Sequence, residues 1–249
     1  MKALLVTSEI TYVPRNYQDL FEEVLAQAPE HIAGLVILRN FSVKLFRDAL
    51  GLRLLGAPGV SDSLLSNSLG IFGRKREALF QKKGMPVLYA QSMNDAKIVE
   101  WVRSQQIDLV INVRTRCIYK KEILAAPRLG CLNIHHGLLP EYRGTLCDLY
   151  ALSEGRPAGF TIHQMNEKID AGRILIRKSV SEPNGEKDYI AYLARTGREE
   201  GQALVELLKA IAETDSLPAG LGNQCDRPVY TRNPDREKIR QMKREGMLL

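Results

Sequence analysis

The first forty residues alternate between short apolar runs and one amphipathic segment, and this order restricts the fold more than any other feature. Lys2–Thr7 and His31–Leu38 read as buried strands, whereas Asn16–Ala28 has apolar residues at helical spacing. Two strands joined by a helix form a parallel pair with a right-handed crossover. The start of the chain therefore predicts an α/β fold.

The same alternation continues along the chain. Further strands are predicted at Met85–Ala90, Asp108–Val113, Gly130–His135, Gly159–Gln164 and Ile174–Val180. Further helices are predicted from Ser92 to Gln105 with a capping box at Ser92–Asp95, from Thr145 to Glu154, and from Lys187 to Glu213 with an interruption at Gly197. The prediction is an open, mostly parallel twisted sheet with helices on both faces, a Rossmann-like arrangement.

Domain boundaries follow from shifts in composition. Residues 1–213 are predicted to form one domain, interrupted by a helical insertion at 41–83 that matches no motif. Residues 214–249 are rich in proline, glycine and charge, and are predicted to be a tail with a short basic helix near Asp235–Arg244.

The composition, 45% hydrophobic and 26% charged, is that of an ordinary globular protein. No run approaches the ~18 apolar residues of a membrane span, and the N-terminal apolar run is too short for a signal peptide. We therefore expect a cytoplasmic protein without a membrane partner. The four cysteines form no Cys-x-x-Cys pair, so free thiols are expected.

Positive charge is concentrated in residues 39–83. This segment holds nine lysines and arginines against three acidic residues, a net charge of +6 that equals the excess of the whole chain. Such a patch can attract a phosphate, a nucleotide or tRNA. The alternative is a solvated face of amphipathic helices.

The stretch from Leu129 to Gly144 contains candidate catalytic residues. Asn133 and His135 are two residues apart in a predicted strand, so both side chains project from the same face. Glycine and proline then form a loop at the carboxyl end of the strand, where ligands bind in open α/β sheets. Asp170 follows on a glycine-containing turn and is placed to reach back to His135.

Two joined motifs carry a resemblance. Asn-x-His-x-x-Leu-Leu-Pro-x-Tyr-Arg-Gly begins at Asn133, and Thr-x-His-x-x-x-x-x-x-Asp-x-Gly runs from Thr161 to Gly172. Together they resemble the folate-dependent formyltransferase family, which includes methionyl-tRNA, glycinamide ribonucleotide and amino-sugar formyltransferases. The likeness is dense from about Ile107 to Val180. One departure is Gly137, where the family often has serine.

The resemblance implies a set of site residues. The family's essential Asn, His and Asp fall on Asn133, His135 and Asp170, with 10-formyltetrahydrofolate as co-substrate and no metal. The implied folate contacts are Leu138, Leu139, Pro140, Gln164, Met165 and Ile169. The implied acceptor contacts are Tyr142, Arg143 and Gly144.

These three groups suffice for formyl transfer. The Asn133 amide can donate to the oxyanion that develops on the formyl oxygen. We expect Asp170 to raise the pKa of His135, which then adds a second donor, and to accept the proton that the attacking amine loses.

The sequence does not decide which amine accepts the formyl group. No glycine-rich phosphate loop occurs at Thr7–Tyr12, which argues against glycinamide ribonucleotide, and residues 214–249 are too few for the extra C-terminal domain of methionyl-tRNA formyltransferases. A small amine or an amino sugar, free or nucleotide-linked, is therefore favoured, while the basic segment keeps tRNA as an alternative. A 10-formyltetrahydrofolate hydrolase and an RNA-binding protein on a retired catalytic scaffold are the rivals, and a homo-oligomer is compatible with the sequence.

Overall fold

Seven strands form the central sheet of the computed structural model, which describes residues 1–249. In chain order the strands of the protein are β1 (Ala3–Ser8), β2 (Ile32–Leu38), β3 (Val87–Ala90), β4 (Leu109–Asn112), β5 (Cys131–His135), β6 (Tyr142–Gly144), β7 (Ala158–Gln164), β8 (Ile174–Ser181) and β9 (Val229–Thr231). The sheet has the order β3-β2-β1-β4-β5-β7-β8, and β6 and β9 form a separate parallel pair. Strands β1 to β5 are parallel, and β7 is antiparallel to both of its neighbours. The predicted mostly parallel α/β fold is confirmed.

Nine α-helices accompany the strands. They are α1 (Gln18–Gln27), α2 (Val43–Leu54), α3 (Pro58–Gly70), α4 (Lys75–Gln81), α5 (Ala96–Ser104), α6 (Lys121–Leu124), α7 (Cys147–Ser153), α8 (Tyr189–Thr214) and α9 (Arg236–Arg244). Residues 41–83 are helical, as predicted. The predicted interruption at Gly197 is wrong, because α8 runs through it without a break.

The start of α5 differs from the prediction. The helix begins at Ala96 with Asp95 as its N-cap, three residues after the predicted cap. The Ser92 hydroxyl instead accepts a hydrogen bond from the Asn94 N–H, so it stabilises the turn before the helix.

The parallel strands are buried on both faces, which explains their continuous apolar runs. Leu4 and Val6 of β1 face one hydrophobic cluster, while Ala3 and Leu5 face the other. Helices α1 and α8 cover the larger cluster, and α5 covers the smaller one. The sheet is therefore held between two helical layers, with its carboxyl edge left open for a ligand.

Residues 214–249 pack against the rest of the chain. Ile239 and Met242 of α9, followed by Met247 and Leu249, are buried in the larger cluster. The division of the chain at residue 213 stays a prediction. No helix of the protein combines the length and the apolar character that crossing a bilayer requires.

Arg76 fits neither interpretation of the basic segment at residues 39–83. Its side chain is buried, and its guanidinium donates to the backbone carbonyls of Ser8, Glu9 and Asn16. Burial lowers its pKa to about 10. Arg76 therefore belongs neither to a solvated face nor to a phosphate site. Its hydrogen bonds connect α4 to the end of β1 and to the loop that follows it.

Candidate active site

A cavity of about 640 Å³ opens beyond the carboxyl ends of β4 and β5. Asn133, His135 and Asp170 all line it, so the structure brings together the three residues that the sequence singled out. Asn133 and His135 come from β5, and Asp170 comes from the loop between β7 and β8. The site lies at the edge of the sheet where the strand pattern placed it.

Hydrogen bonds fix the orientation of the Asn133 amide. Asn112 Nδ2 on the neighbouring strand donates to Asn133 Oδ1 at 2.8 Å. Asn133 Nδ2 lies 3.2 Å from Nε2 of His163, whose Nδ1 faces the Gln164 carbonyl at 2.8 Å. Because a carbonyl only accepts, His163 carries a proton on Nδ1. Its Nε2 also lies 3.6 Å from Oδ1 of Asp170, so it can accept from Asn133 when the ring is neutral and pair with the carboxylate when the ring is charged. The second N–H of the Asn133 amide remains free to meet a ligand.

His135 is buried, and its two ring nitrogens have different partners. Nε2 lies 3.0 Å from the Tyr142 carbonyl and therefore carries a proton. Nδ1 lies 3.6 Å from Oδ1 of Asp170. Burial lowers the pKa of His135, and the Asp170 carboxylate opposes this effect only in part. Asp170 acts in the expected direction, because it favours the charged imidazolium, but the loss of hydration is the larger effect and the pKa of His135 is lowered.

Asp170 is held from several sides. Its backbone adopts a left-handed conformation, with φ of 50°. The Gly144 N–H donates to its Oδ2 at 3.0 Å, and Arg143 Nη1 donates to its carbonyl at 2.9 Å. Burial opposes ionisation, but the neighbouring His163, His135 and Gly144 N–H stabilise the carboxylate and bring its pKa to about 2. Asp170 is therefore ionised at neutral pH.

Gly137 has a steric reason to be glycine. A Cβ atom at this position would lie 2.6 Å from Cys147 Cβ and 2.8 Å from Nε2 of His135. Such contacts are shorter than packed atoms tolerate, so a serine here requires the loop to move.

Comparison with known proteins identifies the family. The family model described as formyl transferase matches residues 64–208, which is more than half of the chain. The chain belongs to the formyltransferase family.

Individual relatives agree with this. A methionyl-tRNA formyltransferase of Geobacillus thermodenitrificans is 33% identical to this chain over 177 residues, which are 68% of the chain and 54% of the relative. The chain thus spans about half of the length of that curated relative, and less of others.

Solved structures share the fold. Glycinamide ribonucleotide transformylase 1 from Symbiobacterium toebii superposes with a TM-score of 0.61 at 19% identity, covering 91% of this chain and 94% of that one. A sugar N-formyltransferase from Shewanella superposes with a TM-score of 0.59 at 19% identity, covering 98% and 87%.

The other predicted site residues fall into two groups. Gly144, Met165 and Ile169 line the cavity. The following residues do not line it, and their contact with a ligand stays a prediction: Leu138, Leu139, Pro140, Tyr142, Arg143 and Gln164. Leu138 and Leu139 are buried in the loop, and the Leu139 N–H donates to Thr161.

Tyr142 and Arg143 support the site from behind it. The Tyr142 carbonyl accepts from His135, and its hydroxyl donates to Glu154. The Arg143 guanidinium is buried and donates to the carbonyls of Asp170 and Asn223. These residues hold His135 and Asp170 in place.

The sequence motifs miss part of the cavity wall. Asn112 orients Asn133. The two residues pair across β4 and β5, so the register of the predicted strands could have indicated this contact. Arg114 and His136 also line the cavity and belong to a buried cluster of charges. No group of three or more His, Cys, Asp or Glu side chains is arranged to hold a metal ion.

Proposed function

We propose that this formyltransferase moves a formyl group from 10-formyltetrahydrofolate to a primary amine, using Asn133, His135 and Asp170. The observation that carries the proposal is their convergence in one cavity, in a chain of this family. One anchored amide donor, one buried imidazole and one ionised carboxylate surround the same space.

The cavity has features that fit a folate. Ile118 and Ile169 line its mouth, and each is 64% exposed, so both offer apolar surface to a ligand. Met165 and Cys117 continue this apolar side inward. The flat aromatic rings of a folate can cover such a surface. The bound co-substrate supplies an activated formyl group on nitrogen.

Asn133, His135 and Asp170 have different roles in the proposed reaction. Asn133 donates its free N–H to the formyl oxygen as negative charge develops there, a contact worth about 3 kcal/mol in other acyl-transfer sites. Nδ1 of neutral His135 and Oδ1 of Asp170 are both acceptors, so both can bind the N–H groups of the attacking amine. Asp170 or His135 then takes the proton that the amine loses as the new carbon–nitrogen bond forms. The residue that took this proton then passes it to the folate nitrogen as the bond between that nitrogen and the formyl carbon breaks.

The favoured acceptor is a small amine or an amino sugar. A charged tRNA is the second candidate, because the similar curated proteins carry the name methionyl-tRNA formyltransferase. Helices α2 to α4 hold the basic segment, although Arg76 is buried and two others, Lys44 and Arg53, pair with aspartates. These contacts reduce the positive charge that is free to meet a tRNA.

The test is release of tetrahydrofolate from 10-formyltetrahydrofolate, measured with no amine and then with pooled amino sugars, nucleotide-linked amino sugars, amino acids or charged tRNA. Release that depends on one pool, together with a formylated product found by mass spectrometry, supports transfer and identifies the acceptor class. Equal release without any amine would replace the proposal with hydrolysis. No release in any pool would contradict both.

A further inference from the structure

We propose that Asn223 is a positioning residue of the active site and holds the turn that carries Asp170. This inference rests on the proposed formyl transfer, in which Asp170 binds the amine and can take its proton. No motif of the sequence points to Asn223, which lies in the segment 214–249 that the sequence predicts to be a tail. That segment then forms part of the framework of the active site.

The first observation is the set of contacts that the Asn223 side chain makes. Asn223 is buried, and its Nδ2 donates to the Asp170 carbonyl at 2.9 Å and to the Gly172 carbonyl at 2.7 Å. Its Oδ1 accepts from Nη2 of Arg143 at 3.2 Å. Carbonyls only accept and a guanidinium only donates, so these partners determine which end of the amide is the nitrogen. Both donors and the acceptor of the side chain are therefore used.

The second observation is the backbone conformation that these contacts hold. Asp170 has φ of 50°, in the left-handed region that residues other than glycine adopt infrequently. Such a conformation persists when the surrounding structure over-determines it. Two donors, Arg143 Nη1 and Asn223 Nδ2, meet the Asp170 carbonyl, and Asn223 also binds the carbonyl two residues further on. The amide therefore bridges two peptide groups of the turn.

The third observation is what the turn presents to the cavity. Oδ1 of Asp170 lies 3.6 Å from both Nδ1 of His135 and Nε2 of His163. Its Oδ2 accepts from the Gly144 N–H at 3.0 Å. A change of the backbone angles at Asp170 would turn the carboxylate away from these partners. Asn223 does not itself line the cavity, so it acts on the reaction through the turn that it holds.

The fourth observation is that the segment around Asn223 is fixed on both sides. Leu221 exchanges two backbone hydrogen bonds with Ile174, the first residue of β8. On the other side, β9 pairs with β6, the strand that contains Arg143. Asn223 is thus anchored between the strand that follows Asp170 and the strand that holds its other partner.

The experiment follows the His135 ring by NMR in a pH series and measures the rate of formyl transfer, in the wild-type protein and in Asn223→Leu. Leucine has a similar size and no charge. It removes the side-chain donors, while the backbone carbonyl of residue 223 can still accept from Arg143. We expect the rate to fall about 10- to 100-fold, because a displaced carboxylate no longer meets the amine. The midpoint of the His135 titration should move to lower pH, because the carboxylate favours the charged ring.

A matched control separates positioning from general stability. Asn40 also bonds to the backbone of a loop, through the N–H and the carbonyl of Ile10, and neither residue lines the cavity. Asn40→Leu should leave the rate and the His135 midpoint unchanged, and equal effects of the two leucine variants would overturn the inference. Asn223→Asp keeps the size and the contact with Arg143 but loses the donors, so the same loss of rate is expected.

A double-variant cycle tests how the effect reaches the reaction. Because Asn223 acts by holding Asp170, Asn223→Leu should add little to the loss of rate caused by Asp170→Asn. The His135 ring should titrate alike in Asp170→Asn and in the double variant. Losses that multiply would overturn the inference, as would Asn223→Leu and Asn223→Asp proteins with the wild-type rate.

The two proposals fail in different ways. Absence of transfer by the wild-type protein in every acceptor pool would contradict formyl transfer, whereas the His135 titration needs neither an acceptor nor turnover. Normal transfer by the wild-type protein, with a rate and a His135 midpoint that do not depend on Asn223, would contradict only the role of Asn223.

Discussion

Oδ1 of Asp170 lies 3.6 Å from Nδ1 of His135, too far for a direct hydrogen bond but close enough for one group to donate to both atoms. His135 is bonded through Nε2 to the Tyr142 carbonyl, so its Nδ1 is an acceptor while the ring is neutral. Two acceptors therefore face one gap beside the Asn133 amide. A primary amine, with its N–H donors, matches this gap.

The charge state of His135 can be measured directly. Burial lowers its pKa, so we expect its ring resonances to titrate with a midpoint below the usual value of about 6.5 in an NMR pH series. Asp170 favours the charged form, so Asp170→Asn should move the midpoint lower still. A midpoint above the usual value, or an upward shift in the variant, would contradict the assignment.

The same shift links stability to pH. The unfolded chain binds this proton more readily than the folded protein, so His135 should reduce the free energy of unfolding as the pH falls through about 6.5. Urea unfolding at a series of pH values would show this dependence of the free energy of unfolding on pH. His135→Gln should remove the part of the dependence that His135 contributes.

Asn112 should act through Asn133. In Asn112→Asp the side chain can no longer donate to Asn133 Oδ1, which frees the amide to turn its nitrogen away from the formyl oxygen. We expect kcat to fall about 10- to 1,000-fold with little change in tetrahydrofolate affinity. A change confined to folate affinity would instead place Asn112 in the folate site.

Much of the fold and the centre of the site could be predicted from sequence. Buried parallel strands produce apolar runs that are visible locally, and the spacing of Asn133, His135 and Asp170 is a local motif. The charge state of His135 could not be predicted from the sequence. Burial depends on the whole fold, and its effect on the pKa is larger than that of Asp170, the one neighbouring carboxylate that the motif shows. Arg114 and Glu200 are far apart in the chain, and only the packing of α8 brings them together.

Gly137 should resist substitution by serine, the residue often found there in the family. The added Cβ would meet Cys147 and His135, so Gly137→Ser should cost about 1–3 kcal/mol of stability and disturb His135. Gly51→Ala is the matched control, because a Cβ at that helical position meets nothing. Thermal unfolding of both variants tests this, and an equally stable Gly137→Ser protein with normal turnover would refute the steric account.

Arg76 should contribute to stability, whereas its neighbour Lys75 should not. Arg76→Gln removes buried guanidinium donors from the carbonyls of Ser8, Glu9 and Asn16 and should lower the free energy of unfolding by about 2–4 kcal/mol. Lys75→Gln removes the same charge from an exposed position and should have a small effect. Equal losses in chemical denaturation would indicate a general charge effect.

The most direct test of the account is the rate of formyl transfer by Asp170→Asn. Asparagine keeps the size of the side chain but removes the charge that binds the amine and accepts its proton. With the acceptor pool that supports wild-type turnover, we expect the rate to fall about 10²- to 10⁴-fold while tetrahydrofolate binds normally and Asp226→Asn, an exposed control, stays active. A variant that transfers formyl at the wild-type rate would contradict the proposed role of Asp170 and, with it, the proposed mechanism.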